Sequence, residues 1–178
     1  IGILIFAWTL KGMGDALEIG TFVENAVGAS ASASLLLPAI LFLVAIFLSF
    51  STGTSWGTFA ILVPIAIAMF PGADNMQMMI IAVASVLSGA VCGDHVSPIS
   101  DTTVMSSAGA QSNHINHVTT QMQYAVVVAV VSAIGYVIAG FVHIWWLVLG
   151  ISAVLLLVVL FVIKVVTSDE KDGVKKRA

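Results

Sequence analysis

Asp94 and Asp101 frame the stretch Gly93-Asp94-His95-Val96-Ser97-Pro98-Ile99-Ser100-Asp101-Thr102-Thr103, with His95, Ser97, Ser100 and Thr102 between and beside them. A carboxylate holds either a proton or a cation. Hydroxyl oxygens are hard ligands suited to a small cation such as sodium. An imidazole titrates near physiological pH and can share a proton. A second cluster, Ser51, Thr52, Thr54 and Ser55, surrounds Gly53. Together the two clusters have the composition of an ion site in which a cation and a proton compete for one carboxylate. Backbone breaks would add carbonyl oxygens at Phe50–Gly53 and Val91–Gly93. New helix starts at Pro98 and near Trp56 would suit anionic groups instead.

Three other chemistries compete for these residues. Gly53-Thr54-Ser55-Trp56-Gly57 matches a nucleophile elbow, and Ser55, Asp101 and His114 follow the chain order of a hydrolase triad. That motif needs a strand before it, whereas both flanks here are long apolar runs, so a membrane-embedded hydrolase using Ser55 is the remote alternative. Gly93-Asp94 in an apolar run suggests an intramembrane aspartyl protease, but Val91 stands where that pattern needs glycine and no Tyr-Asp pair occurs. His114 and His117 could share a metal on one helical face, yet no carboxylate or cysteine lies within the next turn. Interfacial histidines are the plainer account.

The elements that must position these groups are membrane helices. The 178 residues are 60% hydrophobic and 8% charged, with mean hydropathy +1.11, against roughly 25% charged in a soluble domain. Too few charges remain to cover a water-facing surface, so the lipid bilayer is the first expected partner. No basic stripe suggests nucleic acid, and the single cysteine, Cys92, allows no intrachain disulfide.

Ile1–Leu10 reads as the tail of a membrane helix, as if the chain began inside a longer polypeptide. Lys11, Asp15 and Glu18 follow as an interfacial loop or an interrupted helix. Phe22–Ser34 reads as an interfacial helix or linker. Leu35–Phe50 and Trp56–Phe70 are apolar runs on either side of the first break, too long together for one span of roughly 20 residues. They make two spans or a re-entrant hairpin, with Pro64 kinking the second arm.

Pro71–Asn75 is a turn, and Met76–Cys92 is a helix of membrane length. The helix is expected to fail at Gly93 and resume at Pro98, with Ser97 as N-cap. Ile99–Ala110 then continues. Gln111–Gln121 is polar and reads as a loop or helix start outside the hydrocarbon, and Met122–Phe141 and Leu147–Val166 are ordinary membrane helices joined by His143-Ile144-Trp145-Trp146, an interface belt. Lys171, Lys175, Lys176 and Arg177 favour a cytoplasmic C-terminus. Residues 1–166 form a membrane domain and 167–178 a polar tail.

Thr52-Gly53-Thr54-Ser55-Trp56-Gly57-Thr58-Phe59 and the Gly93–Thr103 stretch resemble the NhaC-type Na+/H+ antiporter family of the ion transporter superfamily. Ser106-Ser107-Ala108-Gly109-Ala110, His114-Ile115-Asn116-His117-Val118, Thr120-Gln121 and Tyr124-Ala125 continue the match. The resemblance covers most of Ile1–Val166. It implies two related halves, each with a Gly-Thr-Ser-Trp-like break and a Gly-Asp-x-x-Ser-Pro-x-Ser-Asp-Thr-Thr-like break. One of each occurs here, and the His95 version is similar to the second half.

The expectation is therefore an all-α polytopic membrane protein with discontinuous helices or re-entrant hairpins, one of two inverted repeats, in the plasma membrane (the inner membrane of a bacterium). Its expected function is secondary active transport, chiefly Na+/H+ antiport. The alternative is an ion-coupled exchanger of organic acids or amino acids. Asp94, Asp101, Ser51, Thr52, Thr54, Ser55, Ser97, Ser100 and Thr102 bind the ion or solute, and Asp94, Asp101 and His95 couple protons. Gly53, Gly57, Gly93 and Pro98 break the helices. No cofactor is expected beyond transported Na+ and H+. The missing N-terminal repeat, a small ion or organic solute, and a second copy in a homo-oligomer are the other expected partners.

Overall fold

The computed structural model describes residues 31–70, 75–142 and 144–175, together with Thr9, Met13 and Ala16. The expectations for Ile1–Leu10, for Lys11, Asp15 and Glu18, for most of Phe22–Ser34 and for residues 71–74 lie outside the described residues. Among the described residues from Ala31 onward there are six helices: α1 (Ala31–Thr52), α2 (Ser55–Ala68), α3 (Met76–Val96), α4 (Asp101–Gly109), α5 (His114–Phe141) and α6 (Trp145–Lys175). Four are long and apolar enough to cross a membrane: Leu35–Thr52 within α1, then α3, α5 and Trp145–Thr167 of α6. The chain is a multi-pass, all-helical membrane protein.

Side-chain spacing explains how α1 and α3 pack. Leu37, Leu41, Ala45 and Ser49 recur every fourth residue on α1, and all four are buried. On α3 the buried row is Ala82, Val86, Ala90 and Asp94, flanked by Ser85, Gly89 and Gly93. Rows spaced by four are the ridges that interdigitate in the commonest helix packing. Small residues bring the two backbones together, as membrane helices without a hydrophobic drive between them require. A Cβ at Gly89 would overlap the Phe42 carbonyl, and one at Gly93 would overlap the Ile46 carbonyl. These pairs advance together along both helices, so α1 and α3 run parallel.

The short α2 (14 residues, about 21 Å long) is too short for a typical bilayer core of about 30 Å. Leu62, Ala66 and Phe70 join the core formed by Leu37, Leu41, Ala45, Ala82, Val86 and Ala90, so α2 folds back along α3. This favours the hairpin alternative for Leu35–Phe70. Opposite in direction, α5 closes the group. Gly140 touches the Leu35 backbone, Tyr136 stacks on Phe42 with ring centroids 5.1 Å apart, and Gln121 reaches His95. The last span, Trp145–Thr167 of α6, buries none of its length within the chain and presents its apolar surface outward.

Several boundaries differ from the sequence expectation. Gly93 does not end its helix: α3 continues to Val96. Glycine costs only about 1 kcal/mol in a helix, and close packing on Ile46 offsets that. The second helix does not resume at Pro98 with Ser97 as cap. It resumes at Asp101 after Ser100, because Ser97–Ser100 is a turn with Pro98 at its second position and Ser100 N–H donating to Ser97 O at 3.4 Å. Gly57 lies inside α2 rather than in the break. Of the two forms expected for Gln111–Gln121, the helix start is the one found: residues from His114 onward are helical, with the Asn113 side chain accepting from Asn116 N–H at 3.1 Å. At the other end, α6 runs to Lys175, past the expected boundary at 166.

Candidate functional site

The first break is built on Gly53. Its φ of +69° places it in the left-handed region that glycine enters without penalty. Its N–H donates to Ser49 O at 2.8 Å, so it closes α1 as a left-handed C-cap. A Cβ at this position would sit 2.9 Å from Ile99 O. The tip of the α1–α2 hairpin therefore rests directly on the Ser97–Ser100 turn.

Hydroxyl groups fasten the two breaks together. Ser97 Oγ donates to Phe50 O at 2.7 Å and Ser49 Oγ to Ala90 O at 2.6 Å. Asp94 continues the buried row of α3 and is 8% exposed. One carboxylate oxygen accepts from Ser55 Oγ at 3.0 Å, the other from Ser100 Oγ at 2.5 Å. Ser100 Oγ also lies 2.7 Å from Thr102 Oγ1. Segments from α2, α3 and the turn thus converge on one carboxylate, and its two described partners are hydroxyls.

A buried carboxylate is costly unless charge-assisted bonds or a counter-ion compensate it. Hydroxyl partners supply the bonds without neutralising the charge. The same oxygens make a donor set fit for a hard monovalent cation. Asp94 can alternatively take a proton, in which case one hydroxyl partner must turn to accept.

The remaining expected residues separate into those near this centre and those facing elsewhere. Thr54 is half-buried at the start of α2, and its carbonyl accepts from buried Thr58 Oγ1 at 3.1 Å. Ser51 and Thr52 are exposed, and their hydroxyls donate to Phe47 O and Leu48 O in their own helix. Asp101 is exposed at the first position of α4, and His95 is exposed near the end of α3. Phe50 O is engaged by Ser97, while Val91–Gly93 stay within α3.

His114 behaves differently from either sequence reading. Its Nε2 donates to Pro98 O at 2.8 Å, and Nδ1 lies 3.0 Å from Ser107 Oγ. It latches the start of α5 to the turn. With both ring nitrogens engaged there, Ser55, Asp101 and His114 do not assemble as a triad; the partner of Ser55 is Asp94.

Sequence reasoning missed Ser49, Thr58 and the His114 latch. The fourfold row Leu37, Leu41, Ala45, Ser49 could have revealed the first. The breaks lie level with His114–Gln121, the polar end of α5, through the His114–Pro98 and Gln121–His95 bonds.

Residues 1–141 match the Na+/H+ antiporter family. The chain is 44% identical over 164 residues to an uncharacterized protein of Haemophilus influenzae, covering 92% of this chain and 31% of that protein. It is 34% identical over 97 residues to the malate-2H(+)/Na(+)-lactate antiporter of Bacillus subtilis, covering 54% of this chain and 20% of the relative. A third relative, an uncharacterized Na(+)/H(+) antiporter of Haemophilus influenzae, is 33% identical over 108 residues, 58% of this chain and 22% of the relative. No solved structure matches. The chain thus spans less than a third of the length of each of these relatives. A match across the hairpin, both breaks and α5 places it: the chain belongs to the Na+/H+ antiporter family.

Proposed function

We propose that this chain is an ion-binding part of the C-terminal half of a secondary transporter exchanging sodium for protons, with Asp94 as the group both ions occupy in turn. The observation carrying this reading is the burial of Asp94 against Ser55 and Ser100 hydroxyls. Sodium would be held by the carboxylate and by hydroxyl oxygens that rotate their protons away. On its departure the carboxylate takes a proton. Thr54, Ser97 and Thr102 would act beside it. Asp101 and His95, both exposed, would pass the proton onward. Because the relatives are much longer than this chain, the complete site would draw on other parts of the full-length protein, including the related N-terminal repeat.

The test is Asp94→Asn in the full-length protein reconstituted into vesicles. Sodium-driven proton movement should disappear while the protein still inserts and elutes as a single species. Unchanged exchange would remove Asp94 from the mechanism. The malate/lactate exchange named for the Bacillus subtilis relative supports a second reading, in which an organic acid moves with the ions. Flux that requires an added carboxylic acid would favour it.

A further inference from the structure

A cavity of about 330 Å³ lies beside the Asp94 centre, between the end of α3, α4 and the first turns of α5. Its surface is mainly apolar, although its lining holds no aliphatic side chain. Threonine methyls, the Gln121 stem and aromatic ring carbons therefore make the wall. Three side chains bring donors to it: the imidazoles of His95 and His117 and the phenol of Tyr124. None of these three polar groups has a hydrogen-bond partner among the described residues. An imidazole keeps at least one N–H in either protonation state, and a phenol keeps its O–H.

The neighbouring hydroxyls have spent their protons. Thr103 Oγ1 donates to His95 O at 3.1 Å, Ser106 Oγ to Thr102 O at 2.6 Å and Thr120 Oγ1 to Asn116 O at 2.9 Å. The free donors thus come from three rings, one at the end of α3 and two on the same face of α5, where His117 and Tyr124 stand two turns apart. Two histidines alone fall short of a metal centre, and the described residues hold no cluster of three or more such ligands.

From this lining we infer that the cavity binds the anion of a small monocarboxylic acid. Its carboxylate takes the ring N–H and O–H donors, and its short carbon chain lies on the apolar wall. Apolar walls with a few placed donors are the usual make-up of small-molecule sites, and the volume is at the lower end of their range of roughly 300–1,000 Å³. The lining includes no lysine or arginine, so no fixed positive charge is present to meet a second carboxylate. Thr102 ties the cavity to the ion centre, because its hydroxyl lies 2.7 Å from Ser100 Oγ, which bonds Asp94. Sodium held at Asp94 would neutralise the charge that otherwise repels the acid, so each should favour the other's binding. The inference rests on the second reading above, in which an organic acid moves with the ions, for the acid being cargo.

Equilibrium binding of radiolabelled acids to the purified full-length protein tests it. Butyrate should bind about fourfold more tightly than propionate, the effect of one more buried methylene. Succinate, of the same length with a second carboxylate, should bind at least tenfold more weakly than butyrate. His117→Phe should weaken butyrate at least tenfold. Tyr124→Phe, which removes one exposed hydroxyl and leaves the ring, should weaken it severalfold and stays informative if His117→Phe fails to fold. Sodium should tighten butyrate binding in the unaltered protein and not in Asp94→Asn. No saturable binding of any of these acids would overturn the site outright. Butyrate binding that neither ring variant weakens, with flux that still requires an acid, would overturn the cavity and spare the organic-acid reading. Binding that both variants weaken, with flux indifferent to added acid, would keep the site and remove the acid as cargo.

Discussion

Replacing Gly53 by alanine tests whether contact between the two breaks holds the site together. The left-handed conformation costs a residue with a Cβ about 1–2 kcal/mol. The added methyl would also stand 2.9 Å from Ile99 O and 3.0 Å from Ile99 Cγ1. Ile99 sits in the turn that carries Ser97 and Ser100, so relief moves backbone rather than a free side-chain end. Strain from overpacking adds about 1–3 kcal/mol, for a total of about 2–5 kcal/mol.

Gly53→Asn separates the two contributions. Asparagine tolerates the left-handed region yet brings the same Cβ, so it should recover about 1 kcal/mol of the loss. Gly109→Ala is the control, because a Cβ there meets nothing within 4 Å. Thermal unfolding of the full-length protein in detergent gives the stability, and sodium-driven proton flux in vesicles gives the function. Gly53→Ala should lower the midpoint and raise the half-saturating sodium concentration, because the turn that presents Ser100 to Asp94 moves. A Gly53→Ala protein as stable and as active as Gly109→Ala would refute the reasoning.

Three further outcomes follow from the same contacts. Ser100→Ala should weaken apparent sodium affinity more than Ser55→Ala, since its bond to the carboxylate is the shorter, 2.5 Å against 3.0 Å. Flux titrations with sodium check the order, and the reverse order argues against Ser100 as the principal partner. His114→Phe loses the bonds to Pro98 O and Ser107 and should destabilise by about 1–3 kcal/mol. His114→Gln should recover part of that, as read by thermal unfolding. Ser49→Ala, which removes the bond to Ala90 O, should cost about 1 kcal/mol while leaving the ratio of sodium to proton flux unchanged.

Much of the hairpin and of the cluster around Asp94 was legible in the chain. Apolar length gave the membrane helices, and Gly53 gave the first break. The hydroxyl-rich motifs named Asp94 with Ser55 and Ser100. What composition did not give was facing. Ser51 and Ser55 are equal as letters, but the helix turns one to its own carbonyl and the other to Asp94. Gly93 misled because glycine serves both to end helices and to bring them together, and only the neighbouring Ile46 carbonyl tells which. Pro98 misled in the same way, since a turn and a first helical position both accept its fixed φ. The His114 latch was hidden because its partner, a backbone carbonyl, exists at every residue and leaves no mark in sequence.

The row Ala82, Val86, Ala90, Asp94 also sets a phase. Each residue of an α-helix advances the azimuth by about 100° and the rise by 1.5 Å. One residue inserted or deleted between Ala90 and Asp94 would swing the carboxylate about a quarter-turn off the buried row, away from Ser55, while barely changing its depth. Four residues inserted together would nearly restore the azimuth but displace the carboxylate by about 6 Å, a full turn beyond the hairpin tip. Away from Gly89, Gly93 and Asp94, side chains along α3 can therefore vary in kind while their number cannot. Length changes in this protein should be confined to its connections.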